Sequence, residues 1–532
     1  MSTRILFFFL IFSLPLSNLH SLSESRSLTI PLLKDECWWG AVVDDGHVQP
    51  FSEQSSYSHN LNGDNKSNQI QPFLLSNHGR YIWCDEPFEF NFENGVLKIN
   101  SKHATINVIN AGSNLREAFV QASKEHFPTS GLVPAEMLFK IPQYNTWIEL
   151  TYHQNQKDIL KYANSLINNS FPPGVLIIDD TWQHDYGAWR FNAERFYDPG
   201  LMVDELHQLG FNVMLWVCPF VSADSREFRL LREKGLLVRN AADNDAVIIS
   251  WWNGYSGVLD MTHPKAIEWF KQQLSHLQDE YSVEGFKFDG GDAIFYTGGL
   301  HSFVATSPNG HMEAWARLGL DFPYNEYRAC WKLGGQHLVQ RLHDKNHNWE
   351  DLRQLIPNTI VQGLVGYAYT CPDMIGGGEY KSFRYLKDVD QELVVRSAQC
   401  QALMPMMQFS VAPWRVLDKK NSNICRDMAQ LHTKFGDYII KLAKESAKTG
   451  EPIVRSLEYQ YPGNGYSHIV DQFLLGEDIL VAPVLDFGAR SRQIQFPPGT
   501  WKDEEGRLFI GPAVKSVNAP LEKLPWFQRV SN

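Results

Sequence analysis

Four apolar residues, Val175-Leu176-Ile177-Ile178, run without interruption into two carboxylates, Asp179 and Asp180. A strand can be apolar on both faces only when both faces are covered, as in a parallel sheet flanked by helices. The pattern recurs in Val213-Met214-Leu215-Trp216-Val217 and in Gly285-Phe286-Lys287-Phe288-Asp289. Helical stretches separate these runs, one with Met202, Leu206 and Leu209 on a single face and another over residues 264–280. Trp147-Ile148-Glu149-Leu150 reads as an earlier strand and Lys157 to Asn168 as the helix after it. Leu338 to Leu342, Gly366 to Tyr369 and Leu403 to Phe409 continue the alternation. About eight such units over residues 140–440 predict an α/β fold, a (β/α)₈ TIM barrel with insertions.

The flanks have another rhythm. Residues 26–135 contain short alternating stretches, among them Phe73-Leu74-Leu75, Tyr81 to Cys84, Phe88 to Phe92 and Val96 to Ile99, which predict an N-terminal β-sandwich-like domain. The polar segment Ser52 to Asn68 reads as a mobile loop. Residues 445–532 return to strands, at Ile453 to Leu457, Ile479 to Ala482 and Arg492 to Phe496, and predict a C-terminal β domain. Ahead of all this, Arg4 precedes the apolar run Ile5 to Phe12, and small polar residues follow from Ser17. Residues 1–22 therefore read as a secretory signal peptide, and the mature protein is expected to be secreted, without stable membrane insertion.

The formal net charge of −12, with no run of Lys or Arg, argues against a nucleic-acid partner, which would need a concentrated positive face. Asn65-Lys66-Ser67 and Asn168-Asn169-Ser170 are glycosylation triplets. Seven cysteines, odd in number and without metal-type spacing, do not make a disulfide scaffold. The 16 tryptophans fit either a large core or a cleft in which rings stack on sugar faces. Nothing here specifies an oligomeric state.

In a barrel of this kind the active site lies at the C-terminal ends of the strands. Those ends carry Asp179 and Asp180, Trp216, Asp289 with Asp292, Arg341 with Asp344, and Asp373. One strand-end Asp is often a helix cap. A whole set converging on one rim is harder to explain so, because carboxylates near a core cost free energy unless paired or used. The sequence has no Cys/His cluster and no phosphate loop, so no metal or organic cofactor is implied. Gly-x-Ser-x-Gly is also missing. Paired carboxylates suit glycosidic chemistry, in which one attacks the anomeric carbon and the other moves protons. Lys287, two residues before Asp289 in an alternating strand, shares its face and would favour its ionised form.

Gly285 to Asp292 resembles the nucleophile strand of glycoside hydrolase family 31. Cys371-Pro372-Asp373-Met374-Ile375-Gly376-Gly377, Trp349 to Arg353 with Ile356-Pro357, and Asp471 to Pro483 are similar to three further segments of that family. The resemblance implies a retaining, exo-acting α-glycosidase with Asp289 as nucleophile. Asp344, five residues before Trp349, would be the acid/base. It further implies that Asp179 and Asp373 bind sugar hydroxyls, that Trp216 and Trp331 form walls, and that Arg328 helps orient substrate or the nucleophile. Asp180, Lys287 and Arg341, at or near the same strand ends, are further candidate substrate-binding residues. A carbohydrate is the implied partner. The chain departs from the family's common α-glucosidases, which carry Trp-x-Gly-Asp where this chain has Arg341-Leu342-His343-Asp344. It also has Gln408 to Trp414 in place of their Arg-x-His. These departures resemble a branch for which α-galactoside cleavage is implied. The alternatives are α-glucoside cleavage, a lyase or transglycosylase outcome, or a carbohydrate-binding or chaperone-like protein that has lost the reaction.

Overall fold

The computed structural model describes residues 26–102 and 104–530, so the expected leader lies outside the described residues. Eight strands form the barrel: β1 Gln143–Asn145, β2 Val175–Ile178, β3 Asn212–Val217, β4 Gly285–Phe288, β5 Tyr324–Tyr327, β6 Gln340–Arg341, β7 Thr370–Cys371 and β8 Gln408–Phe409. Neighbours pair in parallel in the order β7-β6-β5-β4-β3-β2-β1-β8. A parallel bridge between Met374 and Gln408 closes the ring. The helix Gln156–Asn168 begins at Asn155, whose side chain accepts from the Asp158 N–H, and buries Ile159, Tyr162, Ala163 and Leu166 against the barrel.

The barrel interior explains where the strands depart from expectation. Trp147–Leu150 is a helical turn, and the first strand is the polar Gln143–Asn145 just before it. Gly366 to Tyr369 leads into β7, and only the last two residues of Leu403 to Phe409 form β8. No apolar run marks β5, Tyr-Asn-Glu-Tyr. Some of the polar residues inside these strands pair with one another. Gln408 Nε2 donates to Gln143 Oε1 at 2.9 Å and to Glu326 Oε2 at 2.8 Å, with all three residues fully buried.

N-terminal to the barrel, Ser27–Pro31, Val96–Ser101, Phe88–Glu93 and Tyr57–Asn60 form one antiparallel sheet. A second sheet runs Trp38–Val42, Gln69–Ser76, Arg80–Trp83 and Asn107–Asn110. The two enclose a core that includes Trp38, Phe51, Leu74, Phe90 and Leu97. A short strand from the barrel, Cys330–Trp331, pairs in parallel with Gln69 and Ile70 and ties the sandwich to the rim. Beyond the 31-residue helix Lys419–Thr449, a six-stranded antiparallel sheet closes the described chain. All seven cysteines are buried free thiols. Among the described residues, no helix is long and apolar enough to cross a membrane.

Candidate active site

The ends of β2 to β6 open into one cavity of about 420 Å³. Eight of the ten residues singled out in the sequence line it: Asp179 and Asp180 after β2, Trp216 on β3, Lys287 and Asp289 at β4, Arg328 after β5, Arg341 on β6, and Asp344 after it. β4 delivers Asp289 to the rim, and the chain then turns away through Gly290 (φ +66°) and Gly291 (φ +73°). A Cβ at Gly291 would lie 2.2 Å from the Trp315 ring, so this left-handed turn excludes other residues.

Both carboxylate oxygens of Asp289 are engaged. Trp216 Nε1 donates to Oδ2 at 3.0 Å, while the Gly290 N–H at 2.8 Å and Arg328 Nε at 3.2 Å donate to Oδ1. Burial alone would raise its pKa, but the charges of Arg328, Lys287 and Arg341 and the Trp216 hydrogen bond hold it well below the usual carboxylate range. The carboxylate is therefore ionised at neutral pH. Lys287 acts on it through space, because its ammonium is bonded directly to Asp179 Oδ2 at 2.7 Å. Arg328 is fixed in turn by Asp292, which accepts from Nη1 at 3.1 Å and from Nη2 at 2.7 Å.

Asp344 sits differently. Its side chain is 43% exposed, against 14% for Asp289, and one oxygen accepts from Arg341 Nη1 at 2.7 Å. Burial of the site would raise its pKa, but Arg341 first and Lys287 second pull it down. Asp180 is the contrasting acid. Burial and the adjacent charge of Asp179 push it up to about 7, although it accepts from Tyr186 Oη at 3.2 Å and from Asn253 Nδ2 at 2.5 Å.

Two expected site residues do not line the cavity. Trp331 is 2% exposed and packs in the core of the N-terminal sandwich, because its strand pairs with Gln69 and Ile70; it is not a wall of the cavity. Asp373 is 1% exposed and absent from the cavity lining. Its oxygens accept from Arg341 Nη1 at 3.1 Å, from the Lys345 N–H at 2.7 Å and from the Gly378 N–H at 3.0 Å. Its hydrogen bonds thus face the loops around Asp344 rather than the open cavity.

The segment expected to be a mobile loop, Ser52 to Asn68, instead contains the strand Tyr57–Asn60 and ends as part of the rim. Asn65 Nδ2 donates to Asp292 Oδ1 at 2.8 Å, and the Ser67 carbonyl, which lines the cavity, accepts from Arg328 Nη1 at 2.7 Å. Asn68 contacts His343, and Asp44 Oδ1 takes Lys345 Nζ at 2.8 Å, so the sandwich grips the loop that carries Asp344. Asn65 is 1% exposed, which makes its triplet inaccessible to a glycan in the folded protein, whereas Asn168 is exposed. Trp147, Tyr152, Trp252 and Tyr380 also line the cavity. These walls were missed in the sequence; the adjacent pair Trp251-Trp252 is the one local signal that could have marked Trp252. Among the described residues, no set of three or more His, Cys, Asp or Glu side chains is placed to hold a metal ion.

A closed (β/α)₈ barrel with carboxylates and cations gathered at its C-terminal mouth places the molecule among TIM-barrel proteins with a polar strand-end cavity. Comparison with known proteins gives the family. The sequence profile of the "Glycosyl hydrolases family 31 TIM-barrel domain" matches residues 143–442, and that of the "Glycosyl hydrolase family 31 C-terminal domain" matches residues 450–532. The chain belongs to glycosyl hydrolase family 31. It is 32% identical over 425 residues to the myogenesis-regulating glycosidase of Mus musculus, covering 77% of this chain and 59% of that protein. The chain thus spans less than two thirds of that relative's length. Among solved structures it superposes on a Flavobacterium johnsoniae GH31 dextranase complexed with glucose, with a TM-score of 0.84 at 20% identity over 94% of this chain and 66% of that one. It also superposes on a cycloalternan-degrading enzyme from Trueperella pyogenes in complex with a covalent intermediate, with a TM-score of 0.81 at 18% identity over 95% of this chain and 78% of that one.

Proposed function

We propose that this protein is an exo-acting α-glycosidase that hydrolyses a terminal α-linked sugar with retention, and that the sugar is an α-galactoside. The observation that carries the reading is the unequal pair of carboxylates in one cavity. Asp289 is kept ionised by three cations and a Trp N–H, as a nucleophile requires, while Asp344 lies more open after β6, two strands away. In the first step an Asp289 oxygen bonds to the anomeric carbon as the glycosidic C–O bond breaks, and Asp344 gives its proton to the departing oxygen. In the second step Asp344 takes a proton from water, the water oxygen bonds to the same carbon, and Asp289 is released. The covalent intermediate described for the Trueperella pyogenes enzyme supports this two-step course. The choice of galactoside rests on Arg341-Leu342-His343-Asp344, with Lys287 ahead of the nucleophile, which resemble the branch for which α-galactoside cleavage is implied.

The test is hydrolysis of aryl α-galactoside and aryl α-glucoside, with the first-formed anomer read by NMR. The expected result is faster turnover of the galactoside with the α-anomer released first. Faster glucoside turnover would replace the sugar, the β-anomer would replace the mechanism, and an unsaturated or transferred product would replace hydrolysis. Equal turnover by wild type and Asp289→Ala would overturn the reading. We also propose passage through the secretory pathway, supported by the apolar run Ile5 to Phe12. A glycan on Asn168 and none on Asn65, read by mass spectrometry of the protein from a eukaryotic host, is the expected outcome. An unmodified Asn168 in material that still carries residues 1–22 would count against it.

A further inference from the structure

Beneath the cavity, Arg341 is the node of a buried charge cluster. Its Nη1 meets Asp344 at 2.7 Å and Asp373 at 3.1 Å, and its Nε lies 3.3 Å from Glu326 Oε1. Both Arg341 and Glu326 have side chains only 2% exposed. Glu326 belongs to β5, does not line the cavity, and is held from below by Gln408 Nε2 on its other oxygen at 2.8 Å. The two facing atoms, Glu326 Oε1 and Arg341 Nε, make no aligned hydrogen bond with any side chain, although they are in ion-pair contact. Burial pushes the Glu326 pKa up, while Arg341, Lys287 and the Gln408 hydrogen bond favour its ionised form; a carboxylate buried there is costly unless its charge has a task.

We infer that Glu326 is a positioning residue for the acid/base step: by engaging the back of the Arg341 guanidinium, it fixes the fork that holds Asp344 and offsets part of the positive charge Asp344 feels. The inference rests on the proposed acid/base role of Asp344. Without Glu326, Arg341 would present its full charge to Asp344 and Asp373. The charged groups around Asp344 are Arg341 from its own strand, Lys287 and Asp289 from β4, Asp373 after β7, which shares Arg341 Nη1 with it, and, behind the guanidinium, Glu326 from β5. Removing a negative charge from this set favours ionised Asp344, so its proton leaves at lower pH. An acid that has lost its proton cannot assist a leaving group, and the deficit shows only where assistance is needed.

The experiment uses the whole chain and compares wild type, Glu326→Gln and Glu326→Asp. Each is assayed on two glycosides of the preferred sugar, one with a 2,4-dinitrophenolate leaving group and one with an unactivated alkyl leaving group. Glu326→Gln keeps the acceptor for Gln408 and removes the charge. The expected result is about a tenfold fall in kcat/KM on the alkyl glycoside and less than about twofold on the dinitrophenyl glycoside, set against the roughly 10²–10⁴-fold that general acid catalysis supplies. The basic limb of the pH profile should move to lower pH, and Glu326→Asp should recover part of the loss. Equal losses on both substrates with an unmoved basic limb would overturn the inference, as would no loss at all. If Glu326→Gln does not fold, Glu326→Asp, which keeps the charge and shortens its reach to Arg341, decides instead: an equal loss on both substrates or no loss at all overturns the inference, and a loss confined to the alkyl glycoside supports it. A wild type that turns over neither glycoside removes the functional reading and the inference with it. A wild type that turns over both while Glu326→Gln behaves identically removes the inference alone.

Discussion

The C-terminal sheet and the rim of the barrel are built on opposite terms. In the sheet, Ile494, Phe496, Trp501, Leu474, Leu480 and Phe527 form a buried apolar cluster, and the Phe496 ring stacks on Phe509 at 4.8 Å between centroids. Its stability comes from area removed from water. At the rim, Asp179, Lys287, Asp292, Arg328, Arg341 and Asp373 are nearly as buried, and each charge is tolerated only because a neighbour answers it. The sheet would tolerate many apolar repackings of equal volume, whereas the rim tolerates few changes because each charge has several partners. Stability is spread over one region, and chemistry is concentrated in the other.

The sharpest break between the two is Asp289→Ala. Turnover should fall by about 10⁴–10⁶-fold, as when a nucleophile is removed, while circular dichroism stays that of the folded protein. A smaller loss would shift the nucleophile to another rim acid. Next comes Phe496→Ala in the sheet, expected to cost about 3–5 kcal/mol in chemical denaturation while kcat of the folded enzyme stays within about twofold. A parallel fall in kcat would mean that the two regions are coupled. Trp216→Phe keeps an aromatic ring, though a smaller one, and deletes the N–H on Asp289. A lost hydrogen bond to a charged group is worth about 1.5–3 kcal/mol, so kcat/KM should fall by about 10–100-fold with little change in melting temperature.

The smallest effect is on stability against pH. The folded-state pKa of Asp180 and of Asp373 is raised to about 7, in each case by burial first and then by a neighbouring carboxylate. For a raised acid, the folded state binds the proton more tightly than the unfolded chain does. The stability it contributes is therefore present below the unfolded value near 4 and is lost as pH rises to about 7. Asp289, with its depressed pKa, works the other way: its contribution is present above the unfolded value and lost in stronger acid. Melting temperature should accordingly decline between pH 5 and pH 8. Asp180→Asn should flatten that decline by about one to three degrees in a scanning calorimeter, at roughly one degree per kcal/mol for a chain of this size. An unchanged slope would leave Asp180 ionised throughout.

Much of the architecture was legible because β2, β3 and β4 are apolar enough to announce strands covered on both faces. β1, β5 and β8 were harder to read, since Gln143, Asn145, Glu326 and Gln408 point polar atoms inward and a hydrophobicity pattern does not register partners on the far side of a barrel. The site divides in the same way. Asp289 and Asp344 stand out in sequence by their strand ends and surrounding motifs, and Lys287 by its two-residue offset. Glu326, Asn65 and Tyr186 carry no local mark, because their roles come from Arg341, Asp292 and Asp180, which lie 15, 227 and 6 positions away in the chain. Trp331 shows the converse, a Trp near the site in sequence that a single strand pairing turns into the core of another domain.

The sequence by itself determined the barrel, its two flanking β regions and the carboxylates at the strand ends, because periodicity and strand-end residues are local properties of the chain. The tertiary structure alone decided which acids are ionised, which face the cavity and which serve only to hold others. Those are matters of burial and of charges brought within a few ångströms, and no spacing along the chain encodes them.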